Sequence, residues 1–157
     1  MRQPRGAKFV SVETADEMFD SVIRELPLST VLVMSAAVSD FMPAEKADEK
    51  IEKSEELLLR LRKTPDILSE VGKRKDRPFT IGFAAETGDK IERAKKKMLG
   101  KNMDMIIFND VTKPGSGFDA DTNSVAILDR DGEVILPTSS KDYVAEAILD
   151  RLIQLKA

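Results

Sequence analysis

Apolar positions along the chain follow two kinds of pattern. Between residues 14 and 26 they recur at helical spacing, at Met18, Val22, Ile23 and Leu26. Thr14 and Glu17 stand three apart as a capping box requires, and Pro27 marks the exit. Thr30 to Ser35, Phe79 to Ala84 and Asp104 to Asn109 are instead short, mostly apolar runs. Runs of that length suit strands covered on both faces, as in a parallel sheet. Lys8 to Val12 is one more short stretch of strand formers. Leu57, Leu59 and Leu61 alternate with Leu58, Arg60 and Arg62, the pattern of a half-exposed strand.

Helices are expected between these runs. Thr64 is placed to cap a helix opening on Pro65 and running through Ile67, Leu68 and Val71 towards Arg74. Asp89 to Leu99 reads as a strongly basic helix, with Lys90, Arg93, Lys95, Lys96 and Lys97. Arg130-Asp131-Gly132, between Asn123–Asp129 and Glu133–Leu136, predicts a β-hairpin. Ser139 or Ser140 then caps a last amphipathic helix bearing Val144, Ile148, Leu152 and Leu155. Ala36 to Lys53 has many charges and no period, and reads as a loop. Lys113 to Phe118 is a Pro/Gly loop. Strands alternating with helices predict an α/β domain with a mostly parallel sheet flanked by helices and an antiparallel C-terminal segment.

Length and composition narrow the chemistry. A chain of 157 residues buries roughly 69% of its unfolded surface on folding, enough for one core. Residues 1–157 are therefore expected to form a single domain. No apolar run approaches the ~20 residues of a membrane span. Met1 to Gly6 carries charges with no apolar stretch behind them, unlike a signal peptide. The chain has no cysteine and no histidine. That excludes a disulfide framework, thiolate metal sites, Ser-His-Asp and Cys-His arrangements and an imidazole base within it. Any chemistry must use Lys, Asp, Glu, Asn, hydroxyls, backbone groups or a bound Mg²⁺. A net charge of −3 argues against wholesale nucleic-acid binding. Lack of cysteine is compatible with a reducing cytoplasm. A nucleotide-type α/β fold normally opens with a strand, a Gly-rich turn and a helix. Neither Gly-x-Gly-x-x-Gly nor Gly-x-x-x-x-Gly-Lys occurs here, and the first strand-like stretch starts at residue 8. The chain is thus expected to be N-terminally truncated.

Several segments suit a ligand. Ala36 to Ala44 follows a buried-type strand, where open α/β sheets bind ligands. Small Ala36 and Ala37 would let a ligand near the backbone, and Asp40 would hold Mg²⁺ or a ribose hydroxyl. Packing alanines and a solvated acid fit the same spacing. Lys46, Lys50 and Lys53 suit phosphates, yet Glu45, Asp48, Glu49, Glu52, Glu55 and Glu56 surround them as on an ordinary charged surface. Lys97 and Lys101 share one helix face, which is also how a solvated face reads. The turn Thr64-Pro65-Asp66-Ile67 offers either free backbone N–H groups or a plain cap. Gly115-Ser116-Gly117 is a weak phosphate-loop signal or a flexible loop.

Together the blocks Ala36-Ala37-Val38-Ser39-Asp40-Phe41-Met42-Pro43-Ala44, Lys50-Ile51-Glu52-Lys53, Thr64-Pro65-Asp66-Ile67, Gly82-Phe83-Ala84-Ala85-Glu86-Thr87, Lys101-Asn102-Met103-Asp104 and Asn109-Asp110-Val111 occur in one order. In that order the chain resembles the phosphopantothenate–cysteine ligase domain of coenzyme A biosynthesis. In bacteria that domain is usually fused to an FMN-dependent decarboxylase half. The resemblance implies a Rossmann-like, cytoplasmic, homodimeric enzyme with no nucleic-acid or membrane partner. Its substrates would be 4′-phosphopantothenate, L-cysteine and CTP, with Mg²⁺. An acyl-cytidylate forms first, and the cysteine amine then displaces CMP. It also implies roles for residues. Asp40 would sit at the nucleotide and its Mg²⁺. Lys50 would process the acyl-cytidylate, as the first lysine of a Lys-x-Lys-Lys motif in which Glu52 here replaces a lysine. Ala36, Pro65, Asp66, Ile67, Leu68, Phe83, Lys97 and Lys101 would contact CTP. The family's Gly-Pro-Thr turn and Asn/Ser/Gly-rich loop have no counterpart in this sequence, so this chain is expected to turn over poorly alone. A reductase-like NAD(P)-binding domain and a non-catalytic dimerisation fragment, the latter pairing through residues 105 to 136, are the other readings.

Overall fold

The computed structural model describes residues 6–45, 47, 49–53, 55–86, 91–110 and 122–157. Helix α1 (Ala15–Glu25) starts where the sequence places it. Thr14 Oγ1 accepts from the Glu17 N–H at 3.1 Å, and the Glu17 carboxylate accepts from the Thr14 N–H at 3.3 Å. A 3₁₀ turn (Leu26–Leu28) carrying Pro27 ends it. Strand β1 (Val31–Met34) follows, then the short strands β2 (Phe41–Pro43) and β3 (Leu61–Lys63). Helix α2 (Ile67–Gly72), β4 (Phe79–Glu86), α3 (Ile91–Gly100) and β5 (Met105–Asp110) complete the central units. β6 (Thr122–Asn123), β7 (Val125–Asp129), β8 (Glu133–Ile135), β9 (Ser139–Ser140) and α4 (Lys141–Lys156) close the chain.

The main sheet has the order β1-β4-β5-β7-β8. β1, β4 and β5 run parallel; β7 and β8 are antiparallel to their neighbours. The apolar runs of β4 and β5 are buried, and alternate residues separate cleanly; β1, expected to be covered on both faces, is instead an edge strand that leaves Val33 exposed. Met105 and Ile107 of β5, with Val125 and Ile127 of β7, pack against Val144 and Ile148 of α4. Ile106, Phe108, Ala126 and Leu128 face the other way, onto Ala94 and Met98 of α3. A third cluster joins Met34 of β1 to Leu26 and to Ile67 and Val71 of α2. Full burial of each such side chain stabilises the fold by about 1.5–3 kcal/mol. At the C-terminal end of β7 the Asp129 carboxylate, 1% exposed, takes two hydrogen bonds from the Arg151 guanidinium of α4, at 2.8 and 3.0 Å.

Five local expectations change. Residues 8–12 join no sheet, because among the described residues no strand pairs with them; β1 there bonds only to β4, and Phe9 and Val10 are exposed. The expected loop 36–53 contains β2, which pairs antiparallel with β3. β3 starts only at Leu61, where pairing with Pro43 of β2 begins, and Leu57, Leu58 and Leu59 are all exposed. Asp66, not Thr64, caps α2. The Thr64 N–H donates to the Asp40 carbonyl at 2.9 Å, which extends the β2–β3 ladder and delays the helix by two residues. The helix also ends at Gly72 rather than near Arg74. The Pro/Gly loop Lys113–Phe118, and with it Gly115-Ser116-Gly117, lies outside the described residues, as do Lys46, Asp89 and Lys90. No helix of the described residues is long and apolar enough to cross a membrane.

Candidate functional site

A cleft opens beyond the carboxyl end of β1, the position at which open α/β sheets take ligands. Its cavity volume is about 150 Å³, below the ~300–1,000 Å³ of typical small-molecule sites, so a larger ligand would lie partly outside it. One wall is the connection after β1, with Ala36, Val38, Ser39 and Asp40. The facing wall is the end of β3 and the start of α2, from Lys63 and Thr64 through Pro65, Asp66, Ile67 and Leu68. Phe83 of β4 and Met34 of β1 lie between, and Lys97 and Lys101 of the α3 end stand at its side.

Of the residues singled out from the sequence, Ala36, Asp40, Pro65, Asp66, Ile67, Leu68, Phe83, Lys97 and Lys101 are brought together here. Lys50 is not; it lies on the exposed stretch between β2 and β3, away from the cleft lining. Sequence reasoning missed Lys63 as a lining residue and included Thr64 only as part of the Thr64–Ile67 turn, with no role for its side chain beyond a cap. The one signal for Lys63 was adjacency to the Pro65 turn.

Two contacts hold the walls. The Asp40 carbonyl accepts from the Thr64 N–H, which staples the first wall to the second. Lys101 Nζ bonds both Asp66 carboxylate oxygens, at 2.9 and 2.7 Å, tying the end of α3 to the start of α2. Asp66 also accepts from the Ser69 N–H at 3.1 Å and its hydroxyl at 2.8 Å. Partial burial works against ionisation of Asp66, but the Lys101 and Ser69 hydrogen bonds outweigh it and hold its carboxyl below the ordinary value. Lys63 and Lys97 make no ion pair with any described residue. Their charge is therefore available to a ligand.

Glycines permit two close approaches behind this wall. A Cβ on Gly72 would lie 2.0 Å from the Lys101 carbonyl oxygen, so only glycine lets α2 dock there. Asn102, with φ +51°, follows at once, and its side-chain amide donates to the Gly72 carbonyl at 2.9 Å. A Cβ on Gly82 would fall 2.5 Å from the Met103 sulfur. The Thr64 hydroxyl is buried without a hydrogen-bond partner, a state that costs about 1–3 kcal/mol.

Among the described residues no three acidic side chains gather as a metal cluster. Asp40 is thus suited to Mg²⁺ only in the usual partial way, in which one carboxylate acts together with ligand phosphates and water. A second, wider hollow lies at the opposite rim, lined by Lys73, Arg74, Lys75, Arg77, Arg130 and Lys156 among others. Two of those cations are already paired, Arg77 with Asp104 and Lys73 with Glu70.

Sheet order, buried central strands and a cation-walled crevice past β1 define a Rossmann-like α/β domain with a small-molecule cleft. The chain belongs to the DNA/pantothenate metabolism flavoprotein C-terminal domain family, which it matches over residues 1–155. It is 41% identical over 156 residues to the coenzyme A biosynthesis bifunctional protein CoaBC of Bacillus subtilis (strain 168), a match covering 98% of this chain and 38% of that protein. Against the CoaBC of Escherichia coli (strain K12) the identity is 37% over 155 residues, covering 96% of this chain and 38% of that one. The crystal structure of the C-terminal domain of a CoaBC shares the fold with a TM-score of 0.79 and 35% identity, over 99% of this chain and 71% of that chain. A DNA/pantothenate metabolism flavoprotein from Streptococcus pneumoniae has the same fold, with a TM-score of 0.73 at 22% identity over 93% of this chain and 72% of that chain. The chain therefore spans well under half the length of these full-length relatives.

Proposed function

We propose that the cleft binds CTP with Mg²⁺ and that the chain contributes it to a ligase of coenzyme A biosynthesis, one joining 4′-phosphopantothenate to L-cysteine. The observation that supports this reading most is the meeting of Asp40, Phe83, Lys97 and Lys101 in one cleft. Kinship with proteins named for coenzyme A biosynthesis supports the pathway, and the reaction is the one the family resemblance implies. In the first step a carboxylate oxygen of phosphopantothenate bonds to the α-phosphorus of CTP, and pyrophosphate leaves. In the second the cysteine nitrogen attacks the acyl carbon, loses a proton, and CMP leaves. Neither step needs an imidazole or a thiol from the protein. Position and charge neutralisation are what the chain must provide.

Lys97 and Lys101 neutralise phosphate oxygens as point charges. Asp66 limits how far Lys101 can wander. Mg²⁺, held by Asp40 and the phosphates, would draw negative charge from the leaving pyrophosphate. Ala36 keeps its wall thin, and Phe83 with the Pro65 turn gives the base an apolar seat. Lys50 acts in the second step only if its exposed segment closes over the cleft. A homodimer belongs to the same proposal. Within residues 105–136 the stretches β5 and β7 lie inside the sheet, so its support is the β8 edge, where Val134 and Ile135 are exposed. Kinship also supports a cytoplasmic location and a flavoprotein fusion partner. A dinucleotide reductase is disfavoured by that kinship.

Calorimetric titration of the chain with CTP and Mg²⁺, beside ATP, NADPH and FMN, tests the reading. CTP is expected to bind, and Lys97→Gln to weaken it about tenfold. Absence of CTP binding, or preference for NADPH, overturns it.

A further inference from the structure

We infer that the Thr64 hydroxyl is a ligand-contacting group that recognises a neutral polar part of the nucleotide, a sugar hydroxyl or base edge, rather than its phosphates. Thr64 is 7% exposed, and its Oγ1 has neither a donor nor an acceptor partner among the described residues. Buried hydroxyls nearly always find a partner, so one without is a place to look for a missing ligand. This one belongs to a residue lining the cleft. Its backbone is fixed, because its N–H donates to the Asp40 carbonyl at 2.9 Å and Pro65 follows at once. The hydroxyl is therefore held beside Asp40, and a turn about the Cα–Cβ bond exchanges its methyl and hydroxyl positions. The phosphate-seeking cations Lys97 and Lys101 come from a separate element, the end of α3. A neutral group that both donates and accepts matches hydroxyl, amide or carbonyl groups, whereas a triphosphate is matched by ammonium groups.

The inference rests on the nucleotide reading above and adds a specificity element to it. A side chain kept for binding at the expense of stability leaves a particular signature. Thr64→Val preserves shape and burial but removes the orphaned hydroxyl. It is expected to melt at the same temperature as the parent or higher. Its affinity for CTP and for CMP should fall about three- to tenfold, the effect of one hydrogen bond. Binding of inorganic tripolyphosphate should not change. Thr64→Ser should keep CTP affinity.

The outcomes separate. If Thr64→Val binds CTP like the parent while Lys97→Gln does not, Thr64 is structural and the nucleotide site stands. If Thr64→Val melts several degrees lower, or loses CTP and tripolyphosphate equally, the hydroxyl serves the fold and the inference fails. If the parent chain binds no nucleotide, the functional reading fails and takes this inference with it.

Discussion

Gly72→Ala isolates the backbone contact behind the cleft. The new Cβ would lie 2.0 Å from the Lys101 carbonyl oxygen and 2.9 Å from its carbon. It would be roughly 1.4 Å short of ordinary contact, and both sides of the clash are main chain. No rotamer can relieve it, so α2 or the end of α3 must shift. Overpacking costs about 1–3 kcal/mol, and a clash with backbone belongs at the upper end. Better helix propensity returns at most about 1 kcal/mol. A net loss of about 2 kcal/mol lowers the melting temperature of a chain this size by about 4–8 °C. Gly100→Ala is the matched control, because a Cβ there meets nothing within 4 Å. It should be neutral or stabilising by up to about 1 kcal/mol. Urea and thermal unfolding of both variants give the answer. If Gly72→Ala is as benign as Gly100→Ala, the close approach of α2 to Lys101 does not exist in solution.

Two further outcomes follow from the ion pairs. Arg151→Met strips the guanidinium from the buried Asp129 carboxylate, and urea unfolding at pH 7 should show a loss of about 3 kcal/mol; a loss within about 0.5 kcal/mol would mean that the pair is solvated. Asp66, Asp104 and Asp129 are each partly desolvated, yet each is held below its ordinary value, by Lys101, Arg77 and Arg151 respectively. A depressed folded value adds stability above the unfolded value near 3.9 that disappears as pH falls through the folded one. The melting temperature should therefore be level near neutrality and fall steadily below about pH 4, and Arg151→Met should flatten part of that fall. An acid limb identical in the variant would remove Asp129 from the account.

The sequence was informative where one residue's neighbours in the chain decide its fate. The Thr14–Glu17 capping box, the exit at Pro27 and the Ser140 cap are local, and all three stand as read. The apolar runs of β4 and β5 were legible because a strand buried on both faces needs no polar alternation; the same signal at β1 gave the strand but not its place at the sheet edge, which pairing decides. Residues 8–12 have strand chemistry but no neighbour to bond, and pairing is invisible to propensity. Thr64 and Asp66 are both good caps; the Asp40 carbonyl, twenty-four residues upstream, decides between them. The same long-range staple brings Lys63, beside the Thr64–Ile67 turn, to the cleft, which spacing alone did not show. Lys50 was singled out by family pattern, and the cleft lining does not include it.

The clamp on α2 has a mechanical consequence. Its first turn is gripped by an ammonium group and its last turn abuts a carbonyl, both belonging to residue 101. A short rod pinned at each end by the same residue cannot rock. Widening of the crevice to admit a bulky guest must then come from the opposite bank, where residues 35–39 run from β1 to the point at which Asp40 is stapled to Thr64. That bank is the hinge side, and rigidifying it should slow entry and departure alike.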